Sequence, residues 1–225
     1  MSASASIKTI AVAVDTLVVD DDSFVPSSSK NVDVNSFYTA ALASNNISFS
    51  LWDLGADKNL PPNYVKSFKN VVWFTGNSYP SPIAAYEPEL TAFLVGGGRL
   101  FMSGQDLLDQ AGGLTPFVGT YLHVNWNDAT MNDKPTANVH EVGGTITAGA
   151  GTVPIDSTLL ANTFMDRIGV NPGATAIFTD DGGFPDALSF NGSYKVVFLA
   201  FPFEEYGSAA QRADLVNRAF TFFGP

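Results

Sequence analysis

The sequence predicts an α/β fold built on a doubly wound, mostly parallel sheet, and three observations support this prediction. Short apolar segments alternate with segments of helical spacing along the chain. The apolar segments show little polar alternation, which is typical of strands buried on both faces. No repeat or linker divides the 225 residues, a length that fits one large α/β domain. We therefore expect a single domain at 7–225, preceded by a disordered or extended leader at 1–6.

The first half of the chain predicts a regular βα alternation. We expect strands at 7–19, 47–52, 70–75 and 99–102, and helices at 34–43, 84–95 and 105–110. Asp33 has a side chain suited to the N-cap of the first helix. Gly96, Gly97 and Gly98 supply the backbone freedom that ends the second helix. These glycines precede a strand, whereas a phosphate-binding loop precedes a helix, so we expect no phosphate site there.

The second half of the chain is less regular. Residues 139–156 are rich in Gly and Thr and predict a β-hairpin, or an excursion from the main sheet. Further strands are expected at 174–179, 189–191 and 195–201. Asp180 and Asp181 precede two glycines, a pattern that favours a turn over a metal loop. Ser208 and Gln211 form a capping-box pattern at the start of the last helix.

Composition excludes several classes of function. The net charge is -11 and only 11 residues are Lys or Arg. An acidic surface repels phosphate backbones and anionic lipids, so we expect no nucleic-acid partner. No apolar run approaches the 18 or more residues that span a bilayer, so we expect no membrane insertion. The chain has no Cys, which removes disulfides, thiolate nucleophiles and Cys-based zinc sites.

The composition also suggests where the protein is found. Few lysines with many small polar residues indicate a secreted or extracellular protein. Residues 1–6 lack the charged and apolar regions of a signal peptide. We expect a short leader there, or a start that follows a removed signal.

Four segments together resemble a known fold family: VVWFTGN, PELTAFLVGGGRLFMSGQDL, YLHVNW and KVVFLAFPFEEY. Over about residues 7–223 the chain resembles the class I glutamine amidotransferase-like (flavodoxin-like) domain of secreted bacterial proteases and other extracellular proteins. The resemblance implies a nucleophile on a sharp turn after a strand, and a His near the last strand. Ser103 lies at the nucleophile position, but Phe101 and Gln105 replace the flanking glycines, and Phe201 replaces the His.

The catalytic residues that this resemblance implies are therefore degenerate. Phe201 cannot accept a proton, so Ser103 would need another base. The only histidines are His123, in an aromatic loop, and His140, in the predicted hairpin. The candidate catalytic residues are Ser103, His123 and Glu204. For Ser103 we favour a helix cap over a nucleophile, for His123 a packed loop residue, and for Glu204 with Glu205 a solvated acidic loop.

Ligands of open α/β sheets bind at the carboxyl ends of the strands. The candidate ligand-binding residues there are Asp21, Asp22, Asn77 and Gln105, and Trp126 is a further candidate as a surface contact. Asp20 and Asp22 are candidate ligands of Ca²⁺ or Mg²⁺, which prefer carboxylate oxygens, although three consecutive carboxylates cannot all face one ion. The alternative, which we favour, is a solvated acidic strand end.

Tryptophans stack sugars when they are exposed. Trp126 lies between two asparagines, which favours a surface position, whereas Trp73 lies in a predicted core strand.

The sequence thus favours a non-catalytic interaction or structural module of an extracellular protein or assembly. Its partner would be another protein or a second copy of the chain, and no cofactor is implied, with Ca²⁺ as the candidate exception. One alternative is a serine hydrolase or peptidase-like enzyme that uses Ser103. The other is a module that binds carbohydrate or Ca²⁺.

Overall fold

A computed structural model describes residues 14–22, 32–57, 59–76, 83–110, 113–159 and 164–225. The strands are β1 (Thr16–Asp20), β2 (Phe49–Asp53), β3 (Asn70–Phe74), β4 (Arg99–Ser103), β5 (Val124–Asn125), β6 (Asn138–Glu141), β7 (Thr152–Pro154), β8 (Gly169–Val170), β9 (Ala174–Thr179), β10 (Pro185–Asn191) and β11 (Lys195–Leu199). The helices are α1 (Asn35–Ser44), α2 (Ile83–Val95), α3 (Leu107–Gln110), α4 (Asp128–Met131) and α5 (Ala209–Phe223). Within these residues, no helix has the length and apolarity needed to cross a bilayer.

Nine strands form one sheet in the order β2-β1-β3-β4-β11-β10-β9-β6-β7. The first five strands of this order are mutually parallel. The last four extend the sheet in antiparallel fashion. A separate pair, β5 and β8, lies outside the main sheet. The parallel strands end at a common edge, which we call the carboxyl edge.

Helices cover both faces of the parallel strands, as a doubly wound fold requires. On one face, α2 packs against Trp73 and Met102. On the other, α1 and α5 pack against Val72 and Phe101. The side-chain amide of Asn45, just after α1, donates to the carbonyl of Ala213 in α5 at 2.8 Å, which joins the two helices. Alternate residues of each buried strand therefore contribute to two separate cores.

Most predicted elements are present, with shifts of one to three residues at their ends. The predicted hairpin is confirmed as β6 and β7, and it forms the far end of the main sheet. The capping box at the start of α5 is confirmed: the Gln211 amide donates to the Ser208 hydroxyl at 3.3 Å. The turn at Asp180 is confirmed, because its side chain accepts the amide of Gly182 at 2.8 Å.

Some element boundaries differ from the predictions. α1 begins at Asn35, and the preceding Val34 makes no side-chain cap. The Asp33 carboxylate nevertheless accepts the amide of Asn35 at 3.1 Å. β10 begins four residues before the predicted strand, at Pro185. Of the predicted first strand, residues 7–13 lie outside the described part of the chain, as does the predicted leader.

Candidate functional site

The carboxyl edge brings the sequence-predicted site residues to the ends of β1, β4 and β11. Ser103 is the last residue of β4, and it aligns with Phe74 of β3 and Leu199 of β11. Asp20 is the last residue of β1. Glu204 lies in the short helical turn that follows β11. Asn77, another predicted ligand residue, lies outside the described residues.

The Ser103 hydroxyl is used to hold two segments together. It donates to the carbonyl oxygen of Phe201 and accepts the amide of Phe203, both at 2.9 Å. The side chain is fully buried, at 0% exposure. The predicted helix cap is therefore wrong, because both hydrogen bonds join β4 to the loop after β11 rather than to α3.

The backbone also departs from a nucleophile-bearing turn. Such a turn strains the residue that carries the nucleophile, between a strand and a helix. Ser103 is not among the residues of positive φ, whereas Asp106, the residue just before α3, has φ of 59°. The left-handed residue of this strand-to-helix connection is thus an aspartate, three positions beyond the serine.

Neither histidine lies near Ser103. The ring of His123 stacks on Phe190 with centroids 3.7 Å apart, and its Nε2 is 2.9 Å from the Tyr194 hydroxyl. Phe190 pairs with Val196 at the start of β11, whereas Ser103 aligns with Leu199 at its end. Three residues of strand separate them by about 10 Å. The prediction of a packed loop histidine is confirmed, and burial lowers the pKa of His123.

His140 lies still farther along the sheet. It belongs to β6, four strands away from β4 in the sheet order, a separation of about 19 Å. Its Nε2 is 2.8 Å from Asp181 Oδ1 and its Nδ1 is 3.0 Å from the Thr152 hydroxyl. Ser103 is thus not paired with a histidine, since these two are the chain's only histidines.

Phe201, at the position that the resemblance assigns to a histidine, is fully buried. Its ring packs edge-on against Phe178, with centroids 6.0 Å apart, and stacks against Tyr206 at 6.2 Å. The residue therefore contributes to the core between the sheet and α5 rather than to the carboxyl edge.

Three carboxylates gather beyond the end of β1. Oxygens of Asp20, Asp22 and Asp33 lie within 4.8 Å of one another, and we call these three residues the acidic cluster. Asp20 and Asp22 are buried, while Asp33 is exposed. Burial, followed by the charge of Asp22, raises the pKa of Asp20 to about 8. The predicted solvated strand end is therefore wrong, because Asp20 and Asp22 are held inside the protein.

Asp21 faces the opposite side of the sheet. Its Oδ2 accepts the indole Nε1–H of Trp73 at 3.0 Å, and its Oδ1 has no partner among the described residues. Asp21 therefore does not converge with Asp20 and Asp22 on one ion, as the sequence predicts for three consecutive carboxylates. The buried position of Trp73 is confirmed as predicted. The sequence analysis did not include Asp33 in the cluster, because it assigned the Asp33 side chain to the N-cap of the first helix.

Glu204 lies beside the acidic cluster and is buried, at 2% exposure. Its Oε2 accepts the Tyr38 hydroxyl at 2.7 Å, and its Oε1 has no hydrogen-bond partner in the described part of the chain. Burial raises the pKa of Glu204 to about 7. Glu205 is buried as well. The predicted solvated loop is therefore wrong at both positions.

A second acidic group, which the sequence analysis missed, lies beyond the end of β4. Burial, then the charge of Asp106, raises the pKa of Asp166 to about 8. Burial and neighbouring aspartates raise the pKa of Asp106 to about 6. The segment that carries Asp166 is held at this edge, because the amide of Asp106 donates to the carbonyl of Phe164 at 2.8 Å. No local pattern marks Asp166, since its neighbours at the edge are distant in sequence.

Trp126 and Gln105 are both interior residues. Trp126 is only 6% exposed, so the predicted surface position is wrong. Gln105 is 1% exposed, and its backbone N–H donates to the carbonyl of Gly76 at 3.3 Å. Neither side chain is available to a sugar at the surface.

Comparison with known proteins places the architecture. Cytoplasmic Protein STM3548 from Salmonella typhimurium superimposes with a TM-score of 0.64 and 12% identity, over 93% of this chain and 98% of that one. A glutamine amido transferase from Methylobacillus flagellatus gives 0.54 and 10%, over 93% and 94%. The glutaminase domain of Trypanosoma brucei CTPS gives 0.52 and 11%, over 93% of each chain. The chain has the glutamine-amidotransferase-like, doubly wound fold.

No protein-family model matches the sequence, and no curated protein matches it either. At these identities the structural similarity concerns the fold alone. The amidotransferase-like fold therefore describes the scaffold, and function has to be argued from the residues at the carboxyl edge.

Proposed function

We propose that this chain is a non-catalytic interaction or structural module in which the nucleophile position of an amidotransferase-like fold holds the structure together. The observation that carries the proposal is the Ser103 hydroxyl. Its proton is donated to the Phe201 carbonyl, and its oxygen accepts the Phe203 amide. A nucleophilic serine needs a base to receive its proton, and here a backbone carbonyl occupies that position.

The surroundings of Ser103 also disfavour acyl transfer. An oxyanion is stabilised by donors aimed at the developing charge. The nearby amide of Phe203 already donates to Ser103 itself. The Tyr38 hydroxyl near this edge donates to Glu204. The other buried side chains there, Glu204 and Asp20, carry carboxyl groups and are not donors that would stabilise an oxyanion.

The module's proposed partner is another protein or a second copy of the chain. Two large apolar side chains near the carboxyl edge are about half exposed, Phe164 at 45% and Phe184 at 52%. The Arg167 guanidinium lies 4.2 Å above the Phe184 ring. Aromatic and arginine side chains are enriched at protein interfaces. Composition alone supports the extracellular location that we propose.

The serine-hydrolase alternative is tested by covalent labelling. We expect intact-mass spectrometry to show no adduct after incubation with a fluorophosphonate, because the hydroxyl is buried and has no imidazole beside it. A known serine hydrolase labelled in parallel controls the reagent. An adduct that maps to Ser103 and is absent from Ser103→Ala would overturn the non-catalytic proposal.

A further inference from the structure

The acidic cluster has dimensions that suit a single divalent cation. Ca²⁺ binds oxygens at about 2.3–2.6 Å, so two of its ligands are at most about 5 Å apart. The oxygens of Asp20, Asp22 and Asp33 lie within 4.8 Å of one another. One ion can therefore contact all three carboxylates. Their close approach would otherwise be opposed by mutual repulsion.

Glu204 provides an independent indication of a ligand. Its buried Oε1 has no hydrogen-bond partner among the described residues, although Oε2 is satisfied by Tyr38. A buried carboxylate oxygen without a partner is costly. The side chain faces the cluster across Gly76: a Cβ placed on that glycine would lie 3.2 Å from Asp22 Cβ and 3.7 Å from Glu204 Oε1.

We propose that Asp20, Asp22, Asp33 and Glu204 form a Ca²⁺ site at the carboxyl edge. The three carboxylates of the acidic cluster supply the ligands, and the buried Glu204 Oε1, which lies outside this group of mutually close oxygens, accepts a hydrogen bond from a water bound to the ion. The absence of a side chain at Gly76, whose φ is +54°, leaves the space between Asp22 and Glu204 open.

The chemistry of the donors selects the ion. All four side chains offer oxygen, and the two histidines lie elsewhere in the fold, which favours a hard cation over zinc or copper. The carboxylates come from the end of β1 and the segment that follows it, from the segment before α1, and from the short helical turn after β11. Ca²⁺ tolerates such irregular geometry, whereas Mg²⁺ demands a near-ideal octahedron and retains several waters.

A bound ion would tie three segments of the chain together. Asp22 already accepts the Val34 amide at 2.8 Å, which brings the end of β1 to the start of α1. The ion would add the loop that follows β11, through Glu204. This inference goes beyond the proposed function and does not depend on it, because labelling reports on Ser103 and cation binding reports on the acidic cluster.

The test is isothermal titration of the full, metal-free chain with CaCl₂ and with MgCl₂, accompanied by thermal unfolding. We expect saturable binding of one Ca²⁺, weaker binding of Mg²⁺, and a Tm that rises with Ca²⁺ because the ion binds the folded state. Asp33→Asn should weaken Ca²⁺ binding about tenfold or more. Asp33 is exposed, and Asn keeps an oxygen for the Asn35 amide, so this variant should fold.

Asp15→Asn is the matched control. Asp15 lies just before β1, at the end of the strand opposite to Asp20, and its carboxylate pairs with the Lys69 ammonium at 2.9 Å on the surface. The Asp15→Asn substitution removes one negative charge, as Asp33→Asn does, and should leave Ca²⁺ binding unchanged. Glu204→Gln, which retains an oxygen for the Tyr38 hydroxyl, should weaken binding. The proposal is overturned if the folded chain shows no Ca²⁺ response, if Mg²⁺ binds as tightly as Ca²⁺, or if Asp15→Asn weakens Ca²⁺ binding as much as Asp33→Asn does.

Discussion

The carboxyl group of Asp166 shows how a single position can make the protein sensitive to pH. The side chain is 2% exposed, and its Oδ1 has no hydrogen-bond partner in the described part of the chain. Burial and the charge of Asp106 raise its pKa from 3.8 to about 8. In the folded protein, Asp166 therefore keeps a proton that it releases near pH 4 in the unfolded chain.

The sign of the effect follows from this difference. A raised pKa in the folded state contributes stability that is complete below about pH 4 and is lost as the pH rises through about 8. We predict that the free energy of unfolding falls between about pH 5 and pH 8, with Asp166 contributing at most about 1.4 kcal/mol per pH unit. Asp166→Asn, which cannot ionise, should show a smaller fall in urea denaturation.

Asp128→Asn is a suitable control for this prediction. Asp128 is exposed in the first turn of α4, so its substitution should leave the pH slope as it is in the parent chain. Equal slopes for the parent chain and Asp166→Asn would contradict a buried proton at this position.

At the scale of elements, α5 is the helix whose ends are best defined by its own sequence. The Gln211 amide donates to the Ser208 hydroxyl at 3.3 Å, and the Ser208 amide donates to the Gln211 side chain at 2.9 Å. Arg218 of the same helix donates to the carbonyl of Ala148, in the segment between β6 and β7, at 2.7 Å. The helix therefore depends on local caps at its start and on tertiary contacts farther along.

We predict that Ser208→Ala lowers the free energy of unfolding by about 0.5–2 kcal/mol, because it leaves an amide of the first turn without its acceptor. Chemical denaturation measures the change. Asn217→Ala, an exposed substitution within the same helix, should be neutral or slightly stabilising, since Ala favours the helix. Equal losses for the two variants would show that the cap contributes nothing specific.

Elements were predictable where local pattern decides their structure. β9 lies at its predicted position, and the capping box of α5 was visible in two residues. The start of β10 was missed because Pro185 and Asp186 resemble a turn. In the structure Pro185 is the first residue of the strand, and the pairing of β10 with β9 shifts register around Asp186, which is buried.

At the scale of the whole molecule, the distribution of charge was the least predictable property. The sequence carries a net charge of -11, which suggested an acidic surface. Eight acidic side chains among the described residues are instead buried: Asp20, Asp21, Asp22, Asp166, Asp180, Asp186, Glu204 and Glu205. Acidic residues are almost never buried unless they are paired, so composition argued for the surface.

The candidate site was predictable only in part, for a similar reason. Ser103 and Glu204 were found through the resemblance to the amidotransferase-like domain, and Asp20 because open α/β sheets bind ligands at strand ends. What these residues contact was not readable, since the partners of Ser103 lie 98 and 100 residues away in sequence. Only the folded chain shows that its hydroxyl joins β4 to the loop after β11.

The central claim is that the Ser103 hydroxyl serves the structure, and the stability of Ser103→Ala tests it most directly. Ser44→Ala is the control, because the Ser44 hydroxyl makes an exposed hydrogen bond to Ala40 at 2.8 Å. We predict that Ser103→Ala costs about 1–3 kcal/mol of unfolding free energy by leaving the buried Phe203 amide unsatisfied, and that Ser44→Ala costs less than about 0.5 kcal/mol. An unchanged or increased stability in Ser103→Ala, as expected for a residue kept for catalysis, would contradict the account.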